Sequence, residues 1–544
     1  MKKADFQQKQ FYKIAKDYIE KDFGEFPVLA TWAGVHQYDE QMREVSLDKI
    51  NKFKKRAKET LTRVKDFKVE KFDADAEIDW TVFCSSLKSE IRELEKIKHW
   101  QKDPGVYIRE AINGIYFLVV HSPKNLEKVA QPILARLKKI PQFLLEAKEV
   151  VEDTPPVWVD IALDEVGGGK IFFNETVRSL IKSVPKLEKE VKAAYHEVKK
   201  SLDDYESFLK SLKKFKGDFS VGSKLFAKIV EENHFLPYSL SEIENIGWSQ
   251  IKETKKELKN QAKEIDRNKT WQQILADFKK HHGFEKENLV NLYQRETEEL
   301  KKYLVENQVV SFPQDEALEV VSTPDFMRCT TPTAAYQSPG PLEKDQKGVF
   351  YVSDPKPDLP WEQKDQILQE HAGLTLTCAH EAYPGHHLQL IVANRHPSLV
   401  RKLAHHVIFV EGWALYTEEL IEEIGFIKDP ALKLKRLADQ LWRAYRIVID
   451  IGLQTKKLKI AEAQRLLMEN LSFSQQRAQR EINWYTRRPG YPMCYLLGKL
   501  EIEKLRKKLK GYTLKKFHDQ LLSCGSIPTA LSKKIIKGNN DFCY

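Results

Sequence analysis

Residues 375–389 read TLTCAHEAYPGHHLQ, a run that places three histidines and one glutamate within eight positions. Imidazoles that dense beside a carboxylate point to a divalent metal, because a hydrolytic zinc site takes about three ligands from His, Asp or Glu and keeps one position open for water. A helical HExxH motif presents two imidazoles on one face with the glutamate alongside. Here His380 and Glu381 open such a motif, but Pro384 stands where the second imidazole belongs, and the next ones are His386 and His387. On an unbroken helix His380 and His387 would lie roughly 10 Å apart along the axis, too far for zinc–nitrogen bonds of about 2 Å. Pro384 forbids that helix, since its ring clashes with the carbonyl of His380 and it has no N–H to donate. Gly385 eases the distortion. A two-residue bulge brings His386 to the ligand position, with His387 as the alternative.

A third ligand is expected on a neighbouring helix. The segment HHVIFVEGWALYTEELIEE has helical periodicity and sets Glu411 among Ile408, Phe409, Val410 and Trp413. A carboxylate in apolar surroundings needs a counter-charge, so Glu411 is the chosen third ligand. Glu381 is then the general base, taking a proton from a water that the metal acidifies. Without a metal, the same residues are two histidines at a helix bend and an ordinary helix glutamate. Arg488 and Tyr485 are candidates for holding a substrate carboxylate, since arginine offers a two-pronged donor. His387, where it is not a ligand, is a candidate to orient substrate. His405 and His406, on the approach to Glu411, are assigned supporting or structural roles. The β-prone stretch from Val349 to Ser353 is a candidate edge for an extended peptide.

Outward from the motif, the pattern is helical. Apolar residues recur at three- and four-residue spacing over Ile181 to Leu212 and Ile251 to Phe278, which predicts amphipathic helices. Pro104-Gly105, Pro155-Pro156, Gly167-Gly168-Gly169 and Phe235-Leu236-Pro237 punctuate them. Between about 308 and 360, Pro, Thr, Ser, Tyr and β-branched residues concentrate, and the few strands are expected there. Helical patterning resumes at Trp361 and breaks at Arg488-Pro489-Gly490-Tyr491-Pro492. The expected fold is mainly α, with a deep cleft and a small sheet near the active site. A scaffold lobe over 1–300 and a catalytic lobe over 301–544 are the expected division.

With 42% hydrophobic and 31% charged residues, the 544-residue chain has the balance of a globular protein. The excess of 89 Lys and Arg over 79 Asp and Glu is small and interleaved along helical faces, which reads as a solvated surface without a nucleic-acid footprint. No run of about 18 uncharged apolar residues predicts a membrane span. The N-terminal stretch has no continuous apolar core of the signal-peptide kind. The six cysteines are scattered without a CxxC pair, as in reduced cytoplasmic proteins. Oligomeric state is not encoded in any of these features.

HEAYPGHHLQ followed by EGWALYTEEL resembles the bacterial domain-of-unknown-function family 885, itself similar to the gluzincin metallopeptidases. The likeness extends to FPVLATWAGVHQYDEQ at 26–41, LPYSLSEIENIGWSQI at 236–251, GVFYVSDP at 348–355 and RRPGYPMCYLLGKLEIEKLR at 487–506. Resemblance to helical gluzincins whose motif reads HExGH pairs Gly385-His386 with that GH, and Glu411 with their downstream glutamate. It implies a helical fold with a deep cleft and peptide-bond hydrolysis. It also makes Tyr495 a donor to the developing oxyanion, the alternative being a core aromatic with its hydroxyl satisfied. The expected function is a zinc-dependent peptide hydrolase of carboxypeptidase or oligopeptidase type, with a peptide substrate and neither nucleic acid nor membrane as partner. The alternatives are a zinc amidase or other hydrolase on a non-peptide substrate, and a non-catalytic helical scaffold.

Overall fold

The amphipathic segments fold as helices, and the punctuation between them falls largely where proline dictates. In the computed structural model, the structure describes residues 3–536 apart from 121–124, 213–215, 282, 285–287, 325–326, 329–330 and 332. Helices Pro156–Ser183 and Glu188–Ser211 are separated at Pro185, and Leu240–Ile265 and Trp271–Lys280 by a short turn. Both of the latter begin with a side-chain cap, from Ser239 and Thr270, that satisfies an otherwise unpaired N–H of the first turn. The triple glycine is an exception to the expected punctuation. Helix Pro156–Ser183 runs straight through Gly167-Gly168-Gly169, because packing overrides weak intrinsic propensity: a Cβ on Gly169 would already touch Ile112 at 3.4 Å.

Among the described residues three strands form the sheet, all within the stretch where strands were expected: β1 (Ala317–Ser322), β2 (Ala334–Gln337) and β3 (Lys347–Val352). Their order is β1-β3-β2, with β1 parallel and β2 antiparallel to β3. Successive side chains of a strand point to opposite faces, and β3 uses this to join two cores. Phe350 and Val352 pack with the cluster that contains the metal-motif helix, while Tyr351 and Val349 pack against the cluster built from residues 107–212. The Tyr351 hydroxyl reaches the carbonyl of Val120 at 3.1 Å.

The cores do not divide at residue 300. Helix Leu289–Glu306 runs through that position. One core draws on Phe11 and Ile78 as well as Trp413 and Ile536, and another joins Phe226 to Leu258 with Leu441 to Leu497. Helices of the expected scaffold lobe are thus spread over three large cores, each of which also takes residues from the second half of the chain. Buried pairs tie the halves as well: Arg401, wholly out of solvent, donates to Asp79 at 2.6 Å and to Asp75 at 2.8 Å. Among the described residues, Cys84, Cys378, Cys494 and Cys524 are free thiols and buried. No described helix is long and apolar enough to cross a membrane.

Candidate metal centre

The interrupted motif folds as two helices with a reversal between them. Leu374–Glu381 ends at Glu381, and His386–Asn394 begins at His386. Ala382 leaves the helical region, with φ −106° and ψ −90°, so the break falls between the candidate ligands as Pro384 requires. The chain passes so close over the end of the first helix that a Cβ on Gly385 would stand 1.9 Å from the carbonyl oxygen of His380. Only glycine fits there. Helix Val407–Glu423 clamps the reversal: Trp413 Nε1 donates to the carbonyl of Pro384 at 2.8 Å and Thr417 Oγ1 to that of Ala379 at 3.0 Å.

The reversal brings the rings of His380 and His386 together, centroids 4.8 Å apart and planes nearly perpendicular. Ligand atoms of His380, Glu381 and His386 all lie within 4.8 Å of one another. Glu411 faces both imidazoles, with its Oε2 3.5 Å from His386 Nε2 and 3.9 Å from His380 Nε2. These spacings are long for hydrogen bonds, but they approach the roughly 3.3 Å that separates neighbouring ligands on a tetrahedral ion with bonds near 2.05 Å. Side-chain exposures of 12%, 12% and 11% for His380, His386 and Glu411 leave the cluster nearly enclosed and open on one side.

His380 is held from behind. Its Nδ1 lies 2.8 Å from Oε1 of buried Glu418, two turns beyond Glu411 on the same helix. A carboxylate on Nδ1 fixes the tautomer that leaves Nε2 free to bind a cation. His386 Nδ1 is buried without a hydrogen-bond partner among the described residues. Burial would raise the Glu411 carboxyl, yet His386, His380 and the Tyr491 hydroxyl hold it well below the usual carboxylate range. Tyr491 donates to Glu411 Oε1 at 2.7 Å. Burial and the charge of Glu411 push the hydroxyls of Tyr491 and Tyr495 upward, so both stay protonated donors. The Arg446 guanidinium covers the ring of Tyr495, 4.5 Å from its centroid.

The base candidate is positioned by the sheet. Glu381 Oε2 accepts the backbone N–H of Tyr336, in β2, at 3.2 Å. That amide points away from β3, so the edge of the sheet beside the motif is β2. The expectation that Val349 to Ser353 forms a free edge is corrected: β3 is central, bonded by β1 on one side and β2 on the other.

Other expected residues lie elsewhere. His387 is completely buried and faces away from the cluster, with Nδ1 2.9 Å from the Tyr336 hydroxyl and Nε2 2.5 Å from Glu316. Neither nitrogen is available to a metal or a substrate. Tyr485 is also fully buried, and its hydroxyl accepts from Trp442 Nε1 at 3.1 Å and Arg446 Nε at 3.0 Å, which removes it from any substrate-binding surface. Arg488 is exposed and makes no ion pair among the described residues, and it stands over the ring of Tyr491 at 5.4 Å. His406 lies at the start of the Glu411 helix, its Nδ1 3.1 Å from the carbonyl of Asn233. His405 lines a cavity of about 190 Å³ whose walls also include His386, Glu411 and Tyr336; this modest space stands where a deep cleft was expected. Two contributors escaped sequence reasoning, Glu418 and Tyr491. Glu418 had a readable signal, since it falls seven residues after Glu411 on one helical face.

Fold and cluster together define a mainly α-helical protein with two histidines and a glutamate converging beside a sheet edge. The chain belongs to the family described as "Bacterial protein of unknown function (DUF885)", whose model matches residues 27–535. Its fold is similar to that of a "putative lipoprotein of unknown function" from Shewanella oneidensis, at 21% identity and a TM-score of 0.79, covering 97% of this chain and 99% of that one. It is likewise similar to the "putative lipoprotein" from Colwellia psychrerythraea, at 18% identity and a TM-score of 0.80, covering 98% and 99%. No curated protein matches the chain.

Proposed function

We propose that the chain is a zinc-dependent peptide hydrolase of the gluzincin kind, with His380, His386 and Glu411 as the metal ligands. The observation that carries this is the approach of two imidazole Nε2 atoms to one carboxylate oxygen, at 3.9 and 3.5 Å, with Glu418 behind the first ring. The donor set fits zinc, which takes imidazole nitrogen and carboxylate oxygen in sites that keep a position open. Bound there, zinc would polarise a substrate carbonyl and acidify a water.

The chain's own residues supply the rest. Glu381, oriented by the Tyr336 amide, takes the proton of the attacking water and passes it to the leaving nitrogen. Tyr495 donates to the oxygen on which negative charge grows. Tyr491 holds the free oxygen of Glu411. An extended substrate pairs its backbone along the outer edge of β2, which lies beside the motif. Arg488, free of acidic partners, receives a substrate carboxylate, which favours peptides with a nearby chain end.

The test is metal content together with one substitution. Purified protein should carry about one zinc per chain, and Glu381→Gln should abolish cleavage of short peptides while the zinc is retained. Protein that takes up no zinc, or a Glu381→Gln variant as active as its parent, would overturn the proposal. Activity on small amides or esters alone would replace peptides as the substrate.

A further inference from the structure

The cavity beside the cluster has a chemical character of its own. His386 and Glu411 line it at one end, and Lys402 enters it from the short helix Leu399–Leu403. Lys402 is half-buried, and among the described residues its ammonium makes no hydrogen bond or ion pair. Two nearby or comparable cations are paired: Arg401, the preceding residue, is held by Asp75 and Asp79, and Lys499 by Glu419 and Gln440. The Lys402 side chain thus borders a concave, partly apolar space with no hydrogen-bonded or ion-paired partner among the described residues. Trp32, Pro339 and Pro341 form apolar walls around it.

We propose that this cavity is a subsite for a substrate carboxylate, with Lys402 as its counter-charge, so that the favoured substrates carry an acidic group next to the bond that is cut. This rests on the hydrolase proposal for the neighbouring cluster and names the substrate class within it. The space, about 190 Å³, is below the range of about 300 to 1,000 Å³ that accommodates whole drug-sized ligands, and suits one short side chain or chain end. A single ammonium matches a monoanion, whereas phosphate groups are typically met by forked arginines or clustered backbone N–H groups. Arg488 does not line this cavity. Arg488 stands over Tyr491, whose hydroxyl donates to Glu411, whereas the cavity is lined by His386. Lys402 and Arg488 would therefore meet different parts of a substrate.

The experiment measures binding by calorimetry, on the full chain with and without zinc, using three probes. N-acetyl-glutamic acid α-amide carries only a side-chain carboxylate, N-acetyl-glutamine only a terminal one, and N-acetyl-glutamine amide neither. One or both acids should bind at least tenfold more tightly than the neutral probe. Lys402→Met should remove that advantage and Lys402→Arg should keep most of it, in both metal states. Whichever acid shows the effect identifies the source of the carboxylate. Equal binding of all three probes, or the absence of any acid whose advantage Lys402→Met removes, would overturn the subsite; a terminal-acid advantage that survives Lys402→Met but is lost in Arg488→Met belongs to Arg488. Because binding is read without turnover, a protein that binds the acid through Lys402 but cleaves no peptide would retain the subsite and remove the peptidase. Lys402→Met is half-exposed and is checked for native circular dichroism; a variant that unfolds gives way to Lys402→Gln, judged by the same criterion.

Discussion

Glu418 and Glu411 face the two nitrogens of one ring: Glu418 Oε1 is 2.8 Å from His380 Nδ1, and Glu411 Oε2 lies 3.9 Å from Nε2. Seven residues on one helix, roughly 10.5 Å of rise, span the imidazole between them. Helix Val407–Glu423 therefore both completes the cluster and orients a member of it.

Glu418→Gln tests that arrangement. The amide cannot hold the ring as a carboxylate does, and losses of about 10- to 100-fold in metal affinity are typical for such partners. Competition against a chelator of known strength should show a drop in that range, with one zinc still bound at saturation. Unchanged affinity would place the Glu418 bond outside the metal site.

Tyr495→Phe should lower kcat by about 100-fold or more, as loss of one oxyanion donor does, with KM and zinc content little changed. Tyr491→Phe should act more on the metal, because both hydroxyls bear on Glu411 but Tyr491 donates to its Oε1 at 2.7 Å: weakened zinc binding is expected first, and the activity loss should shrink when zinc is in excess.

Acid stability should carry the mark of Glu316. Burial raises its carboxyl, but donation from His387, Lys301 and Tyr383 outweighs burial and lowers it to about 2. A carboxyl depressed on folding adds stability at pH values above its unfolded value of about 4.5, and that stability is lost as pH falls toward about 2. Urea unfolding of wild type and Glu316→Gln should differ most near neutrality and converge as pH drops below about 4.5. A gap that is constant with pH would contradict this assignment.

Helix Val407–Glu423 meets Cys494–Lys508 through bare backbone. A Cβ on Gly498 would stand 1.9 Å from the carbonyl of Ile408, and one on Gly412 would stand 2.5 Å from Gly498. Gly498→Ala should therefore cost about 3 kcal/mol, the upper part of the range for overpacked cores, in equilibrium denaturation. A loss within about 0.5 kcal/mol, typical of surface changes, would mean that the helices separate readily.

Much of this was legible in residues 375–418. Pro384 and Gly385 announced the break, and the apolar setting of Glu411 announced the approach of its helix to the motif. Choosing between His386 and His387 needed the direction of the chain after the reversal, which depends on how Gly385 passes over His380. Tyr485 and Arg488 sit three residues apart in sequence, yet one is buried against Arg446 and the other is exposed, because a helix ends at Thr486 between them. The sharing of cores between the two halves was hidden for a different reason: helical periodicity shows that a face is buried but not against which partner.

The glycine contact between the helices bearing Glu411 and Tyr495 has a mechanical meaning. Interfaces made of side chains can accommodate strain by rotating about their torsions; two backbones in direct touch have no such give, and these helices must travel as one stiff strut. Any breathing of the cavity beside Glu411 is then left to the rest of its lining, where Trp32 and Tyr336 stand.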